Sequence, residues 1–137
     1  MPQKIEHSIL IDAQPSTVWE HLTIPDLIVK WMAEPEMQLE ISTDWKVGKS
    51  IIIKGIHYAK FENKGLVLQF EPARLLQYTH LSSLSHLPDV KESYTVIRFQ
   101  LLAIDNQTEL TVRVENFPTE SIFKHHEFYW RGTLGGY

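Results

Sequence analysis

The sequence of 137 residues is 43% hydrophobic and 22% charged, a composition typical of ordinary globular proteins. It contains no cysteine, which excludes disulfides and zinc sites built from thiolates. The net charge of -4, with lysine and arginine scattered along the chain, argues against a nucleic-acid partner.

The length predicts one domain over residues 1–137. No apolar run approaches the ~20 residues that a membrane helix requires. The opening residues also lack the basic and then apolar layout of a signal peptide. We therefore expect a cytoplasmic protein with no membrane partner.

The chain is predicted to open with a strand and two helices. Apolar and polar residues alternate over residues 4–13, which is the period of a strand with one buried face. Pro15 suits the first turn of a helix, and the next helix is predicted to begin with Thr23 as its N-cap. Trp31 lies on the apolar side of this second helix, at helical spacing from Leu27 and Ile28.

Strand alternation returns after residue 36 and predicts about six further antiparallel strands. They are expected near residues 37–42 and 50–55, in a long hairpin within 64–89, and at 95–101 and 110–114. A final helix, rich in aromatic residues, is predicted to open at residues 117–120. This order predicts an α+β fold in which the last helix closes the inner face of one curved sheet of about six to seven strands.

The hairpin within residues 64–89 carries the residues that point most directly to a site. Its first arm is predicted to bury Leu66, Leu68 and Phe70, which share one parity. Its second arm places the polar tips of Tyr78 and His80 among apolar neighbours on the inner face. Such a wall is either packed core or the lining of a binding cavity, and both interpretations stay open.

Tyr78 and His80 are the sharpest candidates for function, because two residues apart on a strand they project into the same interior. Either they orient a polar group of a ligand, with His80 as an acid or base near neutral pH, or they are hydrogen-bonded core residues. No known nucleophile or phosphate-binding motif accompanies them, so we name no catalytic residue. His125 and His126 are helix neighbours about 100° apart, unlike metal ligands at i and i+4, so we predict no metal and no other cofactor.

Several short motifs follow one another in the first part of the chain: Ile11–Pro15, Val18-Trp19, Leu22-Thr23 and Trp31. Their order resembles the opening of the SRPBCC superfamily, the helix-grip fold of START and birch-pollen-allergen-like proteins. The later motifs are Asp44–Gly48, Lys64-Gly65, Glu71-Pro72, Leu76–His80, Pro88-Asp89, Thr108 with Leu110, and Glu115–Phe117 before Trp130. They resemble the branch of the C-terminal domain of the heat shock protein 90 ATPase activator.

The resemblance implies a cavity between the sheet and the C-terminal helix that holds a small hydrophobic or amphipathic molecule. The expected ligand-binding residues are Trp31, Phe70, Tyr78, His80, Phe99, Asn116, Phe117 and Phe128. Aromatic residues at such positions are also common in simple cores. A module that contacts a chaperone is the alternative function, and an enzyme of the polyketide cyclase or dehydratase kind is the third.

The end of the chain departs from the family, whose members usually continue after the tryptophan into a long amphipathic helix. Here Gly132, Gly135 and Gly136 follow Trp130. Because glycine weakens a helix, we expect a short or frayed lid over the sheet and an apolar patch beside it. A homodimer is one way to cover that patch.

Overall fold

The computed structural model describes residues 4–32, 35–57 and 59–134. Within these ranges the strands are β1 (Lys4–Ile11), β2 (Glu40–Thr43), β3 (Ser50–His57), β4 (Ala59–Glu71), β5 (Leu75–Ser82), β6 (Thr95–Ile104) and β7 (Gln107–Glu115). The helices are α1 (Pro15–Thr23), α2 (Pro25–Met32) and α3 (Glu120–Leu134). Short 3-10 turns occur at Pro35–Met37, Ser83–Ser85 and Lys91–Ser93.

The strands form one antiparallel sheet in the order β1-β7-β6-β5-β4-β3-β2. Because β1 and β2 lie at opposite edges, the helices α1 and α2 that join them pack on the inner face of the sheet. The third helix follows β7 and contacts β1. This curved sheet with two helices after β1 and a C-terminal helix confirms the predicted α+β helix-grip architecture.

The first arm of the central hairpin differs from the prediction. Val67 is fully buried, whereas Leu66 and Leu68 are 48% and 37% exposed. The pairing with β5 shifts between Val67 and Gln69, which marks a β-bulge. The extra residue reverses the inward and outward alternation of side chains along β4. Val67 and Phe70 therefore both face inward, whereas Leu66 and Leu68 face outward.

Gly65 shows how closely the two arms approach each other at this point. A Cβ at this position would lie 1.7 Å from the backbone oxygen of Thr79, so only glycine fits. The hydroxyl of the same threonine accepts a 2.8 Å hydrogen bond from the backbone N–H of Leu66. The glycine therefore fixes the register of the hairpin from which the inner wall is built.

The first two helices are held by side chains that bond to the end of α1. Thr23 was expected to cap α2, but it is the last residue of α1 and its hydroxyl donates to the carbonyl of Trp19. The indole N–H groups of Trp31 and Trp45 donate to the carbonyls of His21 and Thr23, each at 2.7 Å. These bonds satisfy carbonyls that a helix end leaves without an intrahelical partner.

The C-terminal helix α3 spans 15 residues, or about 22 Å at 1.5 Å per residue. The hydroxyl of Thr119 caps its start by accepting a bond from the backbone N–H of Ile122. The helix continues through Gly132 to Leu134, and the predicted weakening at Gly135 and Gly136 lies outside the described residues. No helix in the described ranges is long and apolar enough to cross a membrane.

Candidate functional site

An open cavity of about 1300 Å³ lies between the inner face of the sheet and α3. Its wall is built from inward side chains of β3 to β6, from the end of α2, and from one side of α3. The apolar part of this wall is formed by Met32, Met37, Leu39, Ile53, Ile56, Phe61, Leu81, Ile97 and Ile122. The charged residues of the lining are Lys30 and Glu36, and both are exposed at the rim.

Four of the eight predicted ligand-binding residues line this cavity: Trp31, Tyr78, His80 and Phe128. Tyr78 is only 4% exposed, and His80 is partly exposed on the same face of β5. Phe128 is 73% exposed, so it stands at the mouth rather than in the interior. The structure thus brings the tyrosine and the histidine together, as their spacing on one strand predicted.

Phe70 and Phe99 lie outside the cavity lining and belong to the packed core. The ring of Phe70 lies 5.1 Å from Trp19 and 5.8 Å from Trp45, measured between ring centroids. The ring of Phe99 lies 5.8 Å from Trp130. Phe99 also borders a separate void of about 10 Å³, which has the volume of roughly one water molecule. Phe99 therefore supports the cavity wall through Trp31 and Trp130.

Asn116 and Phe117 lie where β7 leads into α3, and they too are outside the lining. The Asn116 amide donates a 2.6 Å hydrogen bond to the backbone carbonyl of Tyr94. Phe117 packs edge-on against Phe123, with ring centroids 5.1 Å apart, and 5.8 Å from the ring of His126. These two residues therefore position the start of the lid and the histidine beside it.

Three histidines meet at one end of the cavity. His80 on β5 lies edge-on to His126 on α3, with ring centroids 5.6 Å apart, and His125 lies 5.9 Å from His126. All three line the cavity. Among the described residues, no group of three or more His, Asp or Glu side chains is arranged to hold a metal ion.

Sequence reasoning missed His126, because it compared this residue only with its neighbour His125. A usable signal was present in the spacing of Ile122, His126, Tyr129 and Thr133, which recur at three- and four-residue steps. These residues share the side of α3 that faces the cavity. A histidine within such a stripe on a helix predicted to cover a sheet is a candidate partner for a histidine on that sheet.

Burial keeps two of these histidines, His80 and His126, uncharged. It lowers the pKa of His80 to about 4, with His125 adding to the effect. It lowers the pKa of His126 to about 3, with further contributions from His80 and His125. Both imidazoles are therefore neutral at pH 7, and each offers one N–H donor and one acceptor nitrogen.

The two phenols of the wall are also uncharged. Burial raises the pKa of Tyr78 far above its usual range, and the nearby Tyr129 adds to that rise. Burial raises the pKa of Tyr129 to about 12, and its hydroxyl donates to the carbonyl of Met32 at 2.9 Å. At neutral pH these uncharged imidazoles and phenols can therefore donate and accept hydrogen bonds.

Several buried polar atoms of the wall have no hydrogen-bond partner among the described residues. They are Nδ1 of His126, Nε1 of Trp130 and Oδ1 of Asn63. Buried polar groups are nearly always paired, since an unpaired one costs roughly 1–3 kcal/mol. Unpaired groups that gather around one cavity are typical of a binding site.

The family model described as Activator of Hsp90 ATPase homolog 1-like protein matches residues 12–136. Among solved structures, ChR145 from Cytophaga hutchinsonii is 33% identical, with a TM-score of 0.79 over 98% of this chain and 90% of that one. CV1439 from Chromobacterium violaceum is 17% identical, with a TM-score of 0.79 over 96% and 92%. The Aha1 dimer from Colwellia psychrerythraea is 23% identical, with a TM-score of 0.73 over 98% and 92%.

No curated protein matches the sequence. The structures below 25% identity support the fold alone, whereas the family model covers β2 to β7, the three helices and the residues of the cavity lining. The chain belongs to the family of Activator of Hsp90 ATPase homolog 1-like proteins, in the SRPBCC superfamily that its motifs indicated.

Proposed function

We propose that this protein binds one small amphipathic molecule in the cavity between the sheet and α3. The observation that carries the proposal is the size of that cavity, about 1300 Å³. Pockets for small ligands occupy roughly 300–1,000 Å³ and are mostly apolar with a few convergent polar groups, so this open cavity is larger than one such ligand requires. The wall has this composition, with Tyr78 and His80 among its polar groups.

The packing around the cavity supports the proposal as well. Trp31 and Trp130 present their rings to the cavity, while Phe99 packs behind both of them. An aromatic wall braced by a second aromatic layer keeps its shape without filling the space. An apolar ligand body would then be buried on contact, and each Å² of apolar area removed from water contributes about 25 cal/mol.

Native mass spectrometry of freshly purified protein, before and after organic extraction, tests the proposal. We expect an added mass of a few hundred daltons that extraction removes, as for a drug-sized ligand. The same ligand, added back, should raise the melting temperature, because it binds only the folded state. A bare polypeptide mass, together with no melting shift from a panel of amphipathic compounds, would contradict the proposal.

A pair of variants on α3 separates cavity binding from binding elsewhere. Thr133 lines the cavity, whereas Glu127 on the same helix is exposed and lies outside the lining. Thr133→Trp should fill part of the space and reduce ligand retention. Glu127→Trp adds the same indole to the same helix and should leave retention unchanged.

A chaperone-binding module is the second candidate, and the family description is the observation that favours it. The test measures ATP turnover by a chaperone of the Hsp90 class with and without this protein. Stimulation of turnover that persists in Thr133→Trp would support an interaction independent of the cavity. No stimulation at saturating protein would contradict the chaperone-binding function.

We also propose a homodimer that covers the exposed side of α3. Phe128 is 73% exposed on that helix, and the fold neighbour from Colwellia psychrerythraea was solved as a dimer. Light scattering at high protein concentration should give twice the monomer mass for the wild type. Phe128→Ser should shift the mass toward the monomer, and a wild-type monomer at all concentrations would contradict the dimer.

A further inference from the structure

The polar residues of the cavity wall gather at one end of it. Asn63 on β4 lies opposite Ser82 on β5, and His80 on β5 lies opposite Thr95 on β6. All four line the cavity, and His126 on α3 contacts His80 edge-on. Apolar side chains of the lining adjoin this polar end directly, since Ile53 on β3 lies opposite Asn63 and Phe61 lies two residues before Asn63 on β4.

The polar end holds unpaired hydrogen-bonding atoms, and its histidines His80 and His126 are neutral at pH 7. The amide oxygen of Asn63 and Nδ1 of His126 are buried and have no partner among the described residues. The formal charges of the lining are those of Lys30 and Glu36, which are exposed at the rim. A charged ligand group placed at the polar end would therefore be buried without an opposite charge, which is costly.

Protonation of a histidine could supply a positive charge only at a penalty. With a pKa of about 4, His80 is protonated in about one molecule per thousand at pH 7. A ligand carboxylate would have to shift this protonation equilibrium before it could form an ion pair with His80. A neutral hydroxyl or carbonyl group requires no such shift, because a neutral imidazole already donates and accepts one hydrogen bond.

We infer that the ligand is an uncharged amphipathic molecule whose hydroxyl or carbonyl group is held by His80, His126 and Asn63, with its apolar body packed against the apolar side chains of the lining. This inference rests on the proposed ligand-binding function and adds the chemical class of the ligand. It also makes His126 a residue that determines specificity through direct contact with the polar group of the ligand.

Three probes with the same alkyl chain test the inference: decanol, decanoate and decylamine. At neutral pH the second is anionic and the third cationic, so the three differ mainly in the charge of the head group. Isothermal titration calorimetry should show decanol binding at least about tenfold tighter than either charged probe. Equal or tighter binding of decanoate or decylamine would overturn the inference and leave the proposed function intact.

Variants locate the head group within the cavity. His126→Leu removes both hydrogen-bonding nitrogens and should weaken decanol binding about tenfold, whereas His126→Gln keeps a neutral donor and acceptor and should retain it. His21→Leu is the matched control, because His21 is exposed on α1 and lies outside the lining. His80→Leu provides a second test should His126→Leu fail to fold.

Each remaining outcome is decisive. Decanol affinity that is unchanged in the folded His126→Leu and His80→Leu variants would place the head group elsewhere and overturn the inference. If the wild-type protein retains no ligand and binds none of the three probes, both this inference and the proposed function are overturned. The two failures are distinguishable because only the second abolishes every binding signal.

Discussion

The imidazole of His126 on α3 meets that of His80 on β5 edge-on, with ring centroids 5.6 Å apart. This contact joins the lid to the sheet at the polar end of the cavity. The stability of the folded protein should also depend on pH, since desolvation lowers the pKa of both rings below the ordinary value.

The first prediction concerns that pH dependence. The folded pKa values of about 4 and about 3 lie below the ordinary value of 6.5, so the unfolded chain binds more protons as the pH falls below 6.5. The free energy of unfolding should therefore be highest above that pH and fall by up to about 1.4 kcal/mol per pH unit for each histidine between 6.5 and 4. Urea unfolding across this range measures the slope.

His126→Phe is the control for the pH prediction. It removes one titrating group and one unpaired buried nitrogen while keeping an aromatic ring. The slope below pH 6.5 should fall, and the stability at neutral pH should be equal or higher. An unchanged slope would show that the pH dependence arises from other groups.

The second prediction compares two aromatic residues on α3. Trp130 is 2% exposed and packs against Phe99, whereas Phe128 is 73% exposed. Trp130→Ala should lower the free energy of unfolding by about 3–5 kcal/mol, as large-to-small changes in a core do. Phe128→Ala should change it by less than about 0.5 kcal/mol. Chemical unfolding of both variants at low protein concentration measures the difference.

The third prediction compares two glycines. Gly65→Ala would place a methyl group 1.7 Å from the backbone oxygen of Thr79 and should destabilise the fold by more than about 2 kcal/mol. Gly132→Ala meets no atom within 4 Å and should stabilise α3 by up to about 1 kcal/mol. Thermal melting of the two variants should move in opposite directions, and a tolerated Gly65→Ala would contradict the close approach of β4 and β5.

The fourth prediction concerns the loop between β5 and β6. Asp89 accepts hydrogen bonds from Lys64 at 2.6 Å and from the hydroxyl of Tyr94 at 2.5 Å, which fastens the loop to β4. Asp89→Asn should accelerate hydrogen exchange of residues 83–94 while the melting temperature changes little, since exposed ion pairs contribute little to global stability. Glu62→Gln, which breaks the exposed pair with Lys54, should leave exchange of this loop unchanged.

The fold was predictable because the local sequence patterns for strands and helices agreed with the order of elements in a helix-grip fold. Alternation at β6 and β7 and the helix openings predicted at Pro15 and at residues 117–120 all indicated the elements that the structure contains. The parity of the first hairpin arm was not predictable, because a β-bulge adds a residue without any change in the alternating pattern. Gly65 was the local sign that the strand departs from simple pairing there.

The site was predictable only in part, for a physical reason. Residues on one strand share a face by a rule of period two, so Tyr78 and His80 could be placed together. The contact of His126 with His80 depends on how α3 crosses the sheet. The spacing of residues within α3 or within β5 does not determine that crossing. Phe70 and Phe99 also lie on the inner face of the sheet, but α1 and α2 cover them. There Trp19 packs against Phe70 and Trp31 packs against Phe99, so neither phenylalanine is left to line the cavity.

The tryptophans divide into two pairs with different surroundings. Trp31 and Trp130 face the cavity, whereas Trp19 and Trp45 pack around Phe70 away from it. A ligand that enters the cavity therefore changes the emission of the first pair and leaves the second pair as an internal reference. The protein carries its own optical reporter of occupancy, which allows ligands to be screened without a label.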